Sequence, residues 1–355
     1  MTIQELVRIA MEKGASDIFI VAGCPLSIKV NNQLQRVDDK SLKSEETELL
    51  IEEIYILCAH HSKAKLIEKG DDDFSFAIPE VARFRVNVFM QRGSLAAVLR
   101  VVRFEIPSAQ ELGIPEDILR FAKINKGLVI ISGPAGSGKS STLAVLLDDI
   151  NRNRSAHIVT LEDPIEFLHR HNKSIVSQRE ISSDCESTAT ALRAALRQAP
   201  DVIFIGEMRD LDTISLAMTA AETGHLVFST LHTLGAANTV DRIVDVFPPM
   251  QQQQVRVQLS MVLQAVISQQ LLRTKDGKLV PVFEVMTNAT AIRNQIREGK
   301  THQLNNTIIS SVDEGMISMD SMILAMVRDD IIDEAEALAH SFDAAIMKKR
   351  IKELR

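Results

Sequence analysis

The stretch Gly133, Pro134, Ala135, Gly136, Ser137, Gly138, Lys139, Ser140 is a complete G-x4-G-K-[ST] phosphate loop. The apolar run Gly127–Ser132 precedes it, and the helix-prone run from Ser141 through Leu147 follows. A strand, a glycine turn and a helix in that order are the context in which the motif works. Glycine lets backbone N–H groups face an anion without a Cβ in the way, and the helix offers its positive end to the same anion. A glycine-rich turn with no ligand is the plainer reading, but all four fixed positions and both flanks match. The chain is therefore expected to bind ATP, with Lys139 reaching the β and γ phosphates and Ser140 ligating Mg²⁺.

A loop of this kind belongs to α/β proteins, and the rest of the chain agrees. Apolar runs recur at Leu128–Ser132, Ile158–Leu161, Val202–Ile205, Leu226–Ser229 and Val280–Val285, separated by helical stretches, as in a parallel sheet with crossover helices. Between Gln251 and Leu272 the positions Val255, Leu259, Val262, Leu263, Val266, Ile267 and Leu271 keep helical spacing, which predicts one helix with a core-facing stripe. Met316, Met319, Met322 and Met326 lie close together in a helical tail and are read as core filler before partner groove.

The first hundred residues carry no nucleotide loop. Strand-like pieces at Asp17–Val21, Leu26–Val30, Asp73–Ala77, Phe84–Phe89 and Ala96–Val102, with helices near 3–13 and 44–68, predict an α+β module. Two prolines and a glycine in Ile106–Pro115 mark a break. The expected division is a domain over 1–104, a linker over 105–116 and an ATPase domain over 117–355.

Composition narrows the function. At 355 residues and 45% apolar content the chain can build two cores. No run approaches the length of a membrane span, and Glu5 interrupts the place of a signal peptide, so a cytoplasmic protein is expected. Cys24, Cys58 and Cys185 form no C-x-x-C pair and leave one over in any disulfide scheme, which argues against zinc and disulfide staples. A net charge of −7, one Tyr and no Trp disfavour a nucleic-acid motor.

Phosphate-loop hydrolases also need carboxylates at the ends of neighbouring strands, to organise Mg²⁺ and the attacking water. Val202–Ile205 runs into Gly206 and Glu207, the form of a Walker B strand with glycine where many such motifs carry aspartate. Ile158–Leu161 runs into Glu162, Asp163 and, past Pro164, Glu166. His225 and His232 bracket a third strand ending in Ser229 and Thr230, where a side chain can sense the γ-phosphate.

Taken together, GPAGSGKSS (133–141), TLEDPIEF (160–167), PDVIFIGEMRD (200–210) and TAAETGHLVFSTLHT (219–233) resemble the Walker A, Asp, Walker B and His boxes of the secretion-superfamily traffic ATPases. Ala291–Lys300 is similar to the AIRNLIRE motif of the PilT family, the type IV pilus retraction motors. Gln295 replaces the motif's leucine and is expected to weaken the apolar face of that helix. Gly14–Asp17 and Val81–Asn87 resemble the family's PAS-like N-terminal domain, and Glu314–Met316 with Met319 and Asp320 its helical tail.

That resemblance implies a homo-hexamer of PAS-like and RecA-like domains that hydrolyses ATP with Mg²⁺. It implies Glu166 as general base, Glu207 holding Mg²⁺ through water, Ser141 closing the loop's nucleotide contacts, and His225 and His232 coupling nucleotide state to motion. Arginines of the N-terminal domain would complete a neighbouring subunit's site; Arg83, Arg85, Arg92, Arg100 and Arg103 are candidates, and Arg85 and Arg100 are preferred. The implied work is pilus retraction against an inner-membrane platform protein. An assembly or type II secretion ATPase is the nearest rival, but those usually carry two C-x-x-C pairs. A nucleic-acid translocase and a non-hydrolysing ring protein are the rivals of other classes.

Overall fold

The computed structural model describes residues 1–30, 33–58, 61–78, 81–102 and 105–354. The chain divides into two compact units, Met1–Glu105 and Ile106–Arg355, each built on one sheet.

The first unit's sheet holds β1 (Asp17–Ile20), β2 (Pro25–Val30), β3 (Gln33–Ser41), β4 (Asp71–Ile78), β5 (Ala82–Gln91) and β6 (Ser94–Val102), in the order β3-β2-β1-β6-β5-β4. All its ladders are antiparallel. Alternation works as expected in β5, where Ala82, Phe84, Val86 and Val88 turn inward. Arg92 and Gly93, both with positive φ, make the two-residue turn into β6.

Helices α1 (Ile3–Glu12), α2 (Ser44–Leu57) and α3 (Ala64–Lys69) complete this unit. Thr2 and Glu5 form a capping box at the start of α1. The single helix expected over 44–68 is two, because α2 stops at Leu57. β3 was not anticipated; its residues are nearly all polar and show no apolar alternation.

In the second unit the strands are β7 (Gly127–Ser132), β8 (His157–Glu162), β9 (Ile175–Glu180), β10 (Val202–Ile205), β11 (Leu226–Leu231), β12 (Leu263–Arg273) and β13 (Leu279–Thr287). They are ordered β13-β12-β7-β11-β10-β8-β9, parallel except where β12 meets β13. Every residue of β7, β10 and β11 is buried, as happens when helices cover both faces of a sheet.

The helices are α4 (Glu116–Leu119), α5 (Lys139–Asn153), α6 (Thr188–Ala195), α7 (Leu211–Glu222), α8 (Ala236–Asp245), α9 (Pro249–Val262), α10 (Thr290–Arg297), α11 (Leu304–Ser310), α12 (Met319–Arg328), α13 (Glu334–His340) and α14 (Ala344–Glu353). Among the described residues no helix is long and apolar enough to cross a membrane.

One helical expectation fails here. The stripe from Val255 to Leu271 is not one helix; α9 ends at Val262, and Leu263–Arg273 forms a strand beside the phosphate-loop strand β7. Helical spacing happens to run on across the junction, while Val266 and Ile267 suit a strand buried on both faces. The proline-containing stretch after Glu105 is packed as well: Ile114 is buried in the same core cluster as Phe121, Val129 and Leu143. Met316, Met319 and Met326 are buried core side chains. Gln295 is also better placed than expected. The buried residues of α10 are Ile292 and Ile296, and Gln295 instead exchanges hydrogen bonds with Thr307 of α11, at 2.9 and 3.2 Å.

Candidate nucleotide site

The site is assembled where β7, β8, β10 and β11 end. Because these strands are parallel neighbours, all their C-terminal ends open on one edge of the sheet, where α/β proteins bind ligands. A cleft of about 350 Å³ lies there, bounded by Ala135, Gly136, Lys139 and Ser140 on one side and by Glu162, Glu166 and Glu207 on the other.

β7 delivers the loop and α5 receives it, with Gly138 at the N-cap in a left-handed conformation (φ +86°). The two glycines that the motif fixes press on one residue, Gln269 of β12. A Cβ on Gly133 (φ +147°) would overlap the Gln269 carbonyl oxygen and come within 2.7 Å of the Ser137 hydroxyl. A Cβ on Gly138 would meet the Gln269 amide nitrogen at 2.9 Å. Gly136, which the motif leaves free, has nothing within 4 Å of such a Cβ. Gln269 also accepts a hydrogen bond from Thr142 of α5 at 2.8 Å, so one buried side chain backs the loop and the first turn of the helix.

Lys139 is buried, and its ammonium donates to the carbonyls of Gly133 and Pro134, each at 2.8 Å. Burial pulls its pKa below the ordinary lysine value, against the opposing pull of Glu207 and Glu166. The His232 Nδ1 lies 3.4 Å away. From its other ring nitrogen His232 faces the Glu207 carboxylate at 3.5 Å, and Arg209 donates to the same carboxylate at 2.6 Å. Lys139, His232, Glu207 and Arg209 thus form one line of polar contacts across the cleft.

The other acids come from the end of β8. Glu162 is buried and pushed up to about 7 by that burial, although hydrogen bonds from Thr160 (2.6 Å), Gln178 (3.2 Å) and the Glu166 backbone favour its charged form. Glu166 is exposed at the cleft, past the cis Asp163–Pro164 peptide. His169, also in the lining, is pushed down to about 4 by burial and is neutral near pH 7. Gly206 has a steric reason to replace aspartate. A Cβ there would stand 3.2 Å from the Leu161 carbonyl oxygen and 3.4 Å from the Glu162 Cα, crowding β8 just where it presents its acid.

Not every expected residue converges. His225 sits before the first residue of β11, a six-residue strand roughly 20 Å long, and His232 just past its far end. The His225 ring pairs with the Ala220 carbonyl at 2.9 Å. Ser141 is half-buried on α5 and does not line the cleft. Arg85 and Arg100 lie in the first unit, directly opposite each other on β5 and β6, both exposed. Arg100 also pairs with Asp17 at 3.0 Å. Arg103 falls outside the described residues.

Three contributors escaped the sequence reading. Arg209 had a local signal, two residues past Glu207. Gln269 and Gln178 come from strands distant in sequence and had none.

The oxygen donors of Ser140 and Glu207, with a lysine and a glycine loop between strand and helix, are the set that Mg²⁺ and a nucleotide's phosphates require. Fold and site together define a phosphate-loop nucleotide-binding protein with a RecA-like sheet and a separate N-terminal α+β unit. More particularly, the chain belongs to the Type II/IV secretion system protein family, whose model matches residues 1–343. Over 337 residues, 95% of this chain and 97% of the relative, it is 44% identical to the type IV pilus retractation ATPase PilT of Pseudomonas aeruginosa. It is 38% identical to the type IV pilus ATPase PilU of the same organism, over 99% of this chain and 92% of that one. A crystal structure of the pilus retraction motor PilT with bound ADP superposes with a TM-score of 0.89 at 44% identity, covering 98% of this chain and 99% of that one.

Proposed function

We propose that this chain is an Mg²⁺-dependent ATPase that works as a hexameric motor for type IV pilus retraction, the force-generating step of twitching motility. The observation that carries the reading is the cleft itself, where Lys139, Ser140, Glu166, Glu207 and His232 come together in a chain so like PilT. The type II secretion ATPases it also matches align over far less, as in the protein E of Xanthomonas campestris pv. campestris, where 38% of this chain is covered.

In the proposed cycle Lys139 exchanges the loop carbonyls for the β and γ phosphates. Ser140, and Glu207 through water, would hold Mg²⁺, which would supply charge neutralisation at the phosphates. Glu166 takes the proton of the attacking water, and His232 senses whether the γ-phosphate is present beside Lys139 and Glu207. Glu162 is the second candidate for the base, favoured by its burial and raised pKa.

Arg85 and Arg100 of a neighbouring subunit complete the site. They lie directly opposite each other, Arg85 exposed and Arg100 paired with Asp17, and a guanidinium there can neutralise the charge of a transferring phosphoryl group. His225, remote from the phosphates, acts in coupling between subunits. The ring works at the cytoplasmic face of the inner membrane against a platform protein. Phosphate release from ATP by the purified chain tests this. Lys139→Ala and Glu207→Gln should abolish it; turnover in both, or turnover that requires DNA, contradicts the reading.

A further inference from the structure

β9 is an edge strand of the second sheet, and four of its six residues are polar or charged. An edge strand of that composition adds little to a core, so its contacts are informative. Gln178 and Glu180 share one face of β9, since side chains alternate along a strand. Both are spent on the segment that carries the site's acids. The Gln178 amide nitrogen donates to the Glu162 carboxylate at 3.2 Å and to the Phe167 carbonyl at 2.8 Å, while its oxygen accepts from the His169 N–H at 2.8 Å. The Glu180 carboxylate accepts from the Ile165 N–H at 3.0 Å. Glu166 is therefore held through the residues on either side of it, and Glu162 is gripped by the same amide that holds Phe167.

We propose that Gln178 is a positioning residue for hydrolysis: it fixes the Glu162 carboxylate and the 165–169 segment relative to each other, so that Glu166 faces the phosphate loop. An amide suits this task because it donates twice and accepts once without adding charge. The charged and titratable groups around the two acids are Glu180 on β9, Asp163 and His169 on the segment, Lys139 on α5, Glu207, Arg209 and Asp210 after β10, and His232 after β11. A charged residue at 178 would disturb that balance. The proposal rests on the reading of this cleft as an ATP-hydrolysing site.

Two variants of the full chain separate the contacts. Gln178→Met removes all three hydrogen bonds at similar volume. Gln178→Glu keeps an acceptor for the His169 N–H but loses both donors. Both variants are expected to lower kcat by about tenfold or more while KM for ATP changes less than about threefold, because positioning of a base acts on the chemical step. In a Glu162→Gln background, Gln178→Met should cost distinctly less than it does alone.

Hydrogen–deuterium exchange over residues 165–170 gives a readout free of activity. Exchange there should quicken in Gln178→Met and less so in Gln178→Glu, which keeps the acceptor for the His169 N–H, with the phosphate loop unchanged in both. Unaltered kcat in both variants, or KM rising as much as kcat falls, overturns the catalytic part. Unaltered exchange in Gln178→Met overturns the tether. A wild-type chain without ATP turnover would refute the ATPase reading alone, and the exchange comparison would still decide the tether.

Discussion

The two fixed glycines of the phosphate loop invite a graded test, because each meets a different part of Gln269. An alanine at 133 takes a φ of +147° that residues with a Cβ avoid, at roughly 1–3 kcal/mol. It also overlaps a backbone carbonyl on a buried central strand, which adds about 1–3 kcal/mol of overpacking. Together these give roughly 2–6 kcal/mol, and at about 2–4 °C per kcal/mol the thermal midpoint of the second unit should fall by roughly 4–24 °C. Gly136→Ala meets nothing and costs only its left-handed φ of +77°, about 1–2 kcal/mol.

Gly138→Ala falls between them, because its Cβ meets the movable end of the Gln269 side chain. Scanning calorimetry of the variants measures the order, and a fluorescent ADP analogue reports whether the loop still binds. Adding Gln269→Ala should shrink the penalty of Gly138→Ala and leave that of Gly133→Ala, which is imposed by backbone. Equal penalties at 133 and 136, or rescue of Gly133→Ala by Gln269→Ala, would refute the steric argument.

Other expectations follow from the same contacts. Glu162 has a folded-state pKa raised from 4.5 to about 7, so between those values the folded chain keeps a proton that the unfolded chain has released. Its contribution to stability is lost as pH rises through that window, by up to roughly 3 kcal/mol. Melting of Glu162→Gln at pH 5 and pH 8 should lack that part of the wild-type slope, and an identical slope would count against it. Arg209→Leu should reduce ATP turnover several-fold by freeing the Glu207 carboxylate, yet change the melting midpoint little, since exposed ion pairs contribute about 0–1 kcal/mol. Gln295→Leu should destabilise the chain by about 1 kcal/mol in urea unfolding, through loss of its paired bonds to Thr307. A stabilised Gln295→Leu would mean that the position belongs to the apolar face after all.

The parts legible in the sequence were those in which a local pattern determines the outcome. β7, β10 and β11 are buried on both faces and read as continuous apolar runs, and the loop between β7 and α5 announces itself by its glycines. Lys139, Glu166, Glu207 and His232 all lie just beyond strands that the apolar runs reveal, which is why they were found together. β12 was hidden because its first apolar residues continue the helical spacing of α9, and because Gln269 and Gln270 look solvated although both are buried. β3 and β9 were missed because edge strands need no apolar alternation. Gln178 and Gln269 act across pairings that join residues far apart in the chain. No short stretch of sequence records such a pairing.

ATP hydrolysis at this cleft is expected to shorten pili. This is tested most directly by imaging fluorescently labelled pili on live cells in which Lys139→Ala replaces the native chain. Pili on those cells should extend normally and then persist at full length without retracting. Pili that shorten at the wild-type rate, or cells that make no pili at all, would contradict it.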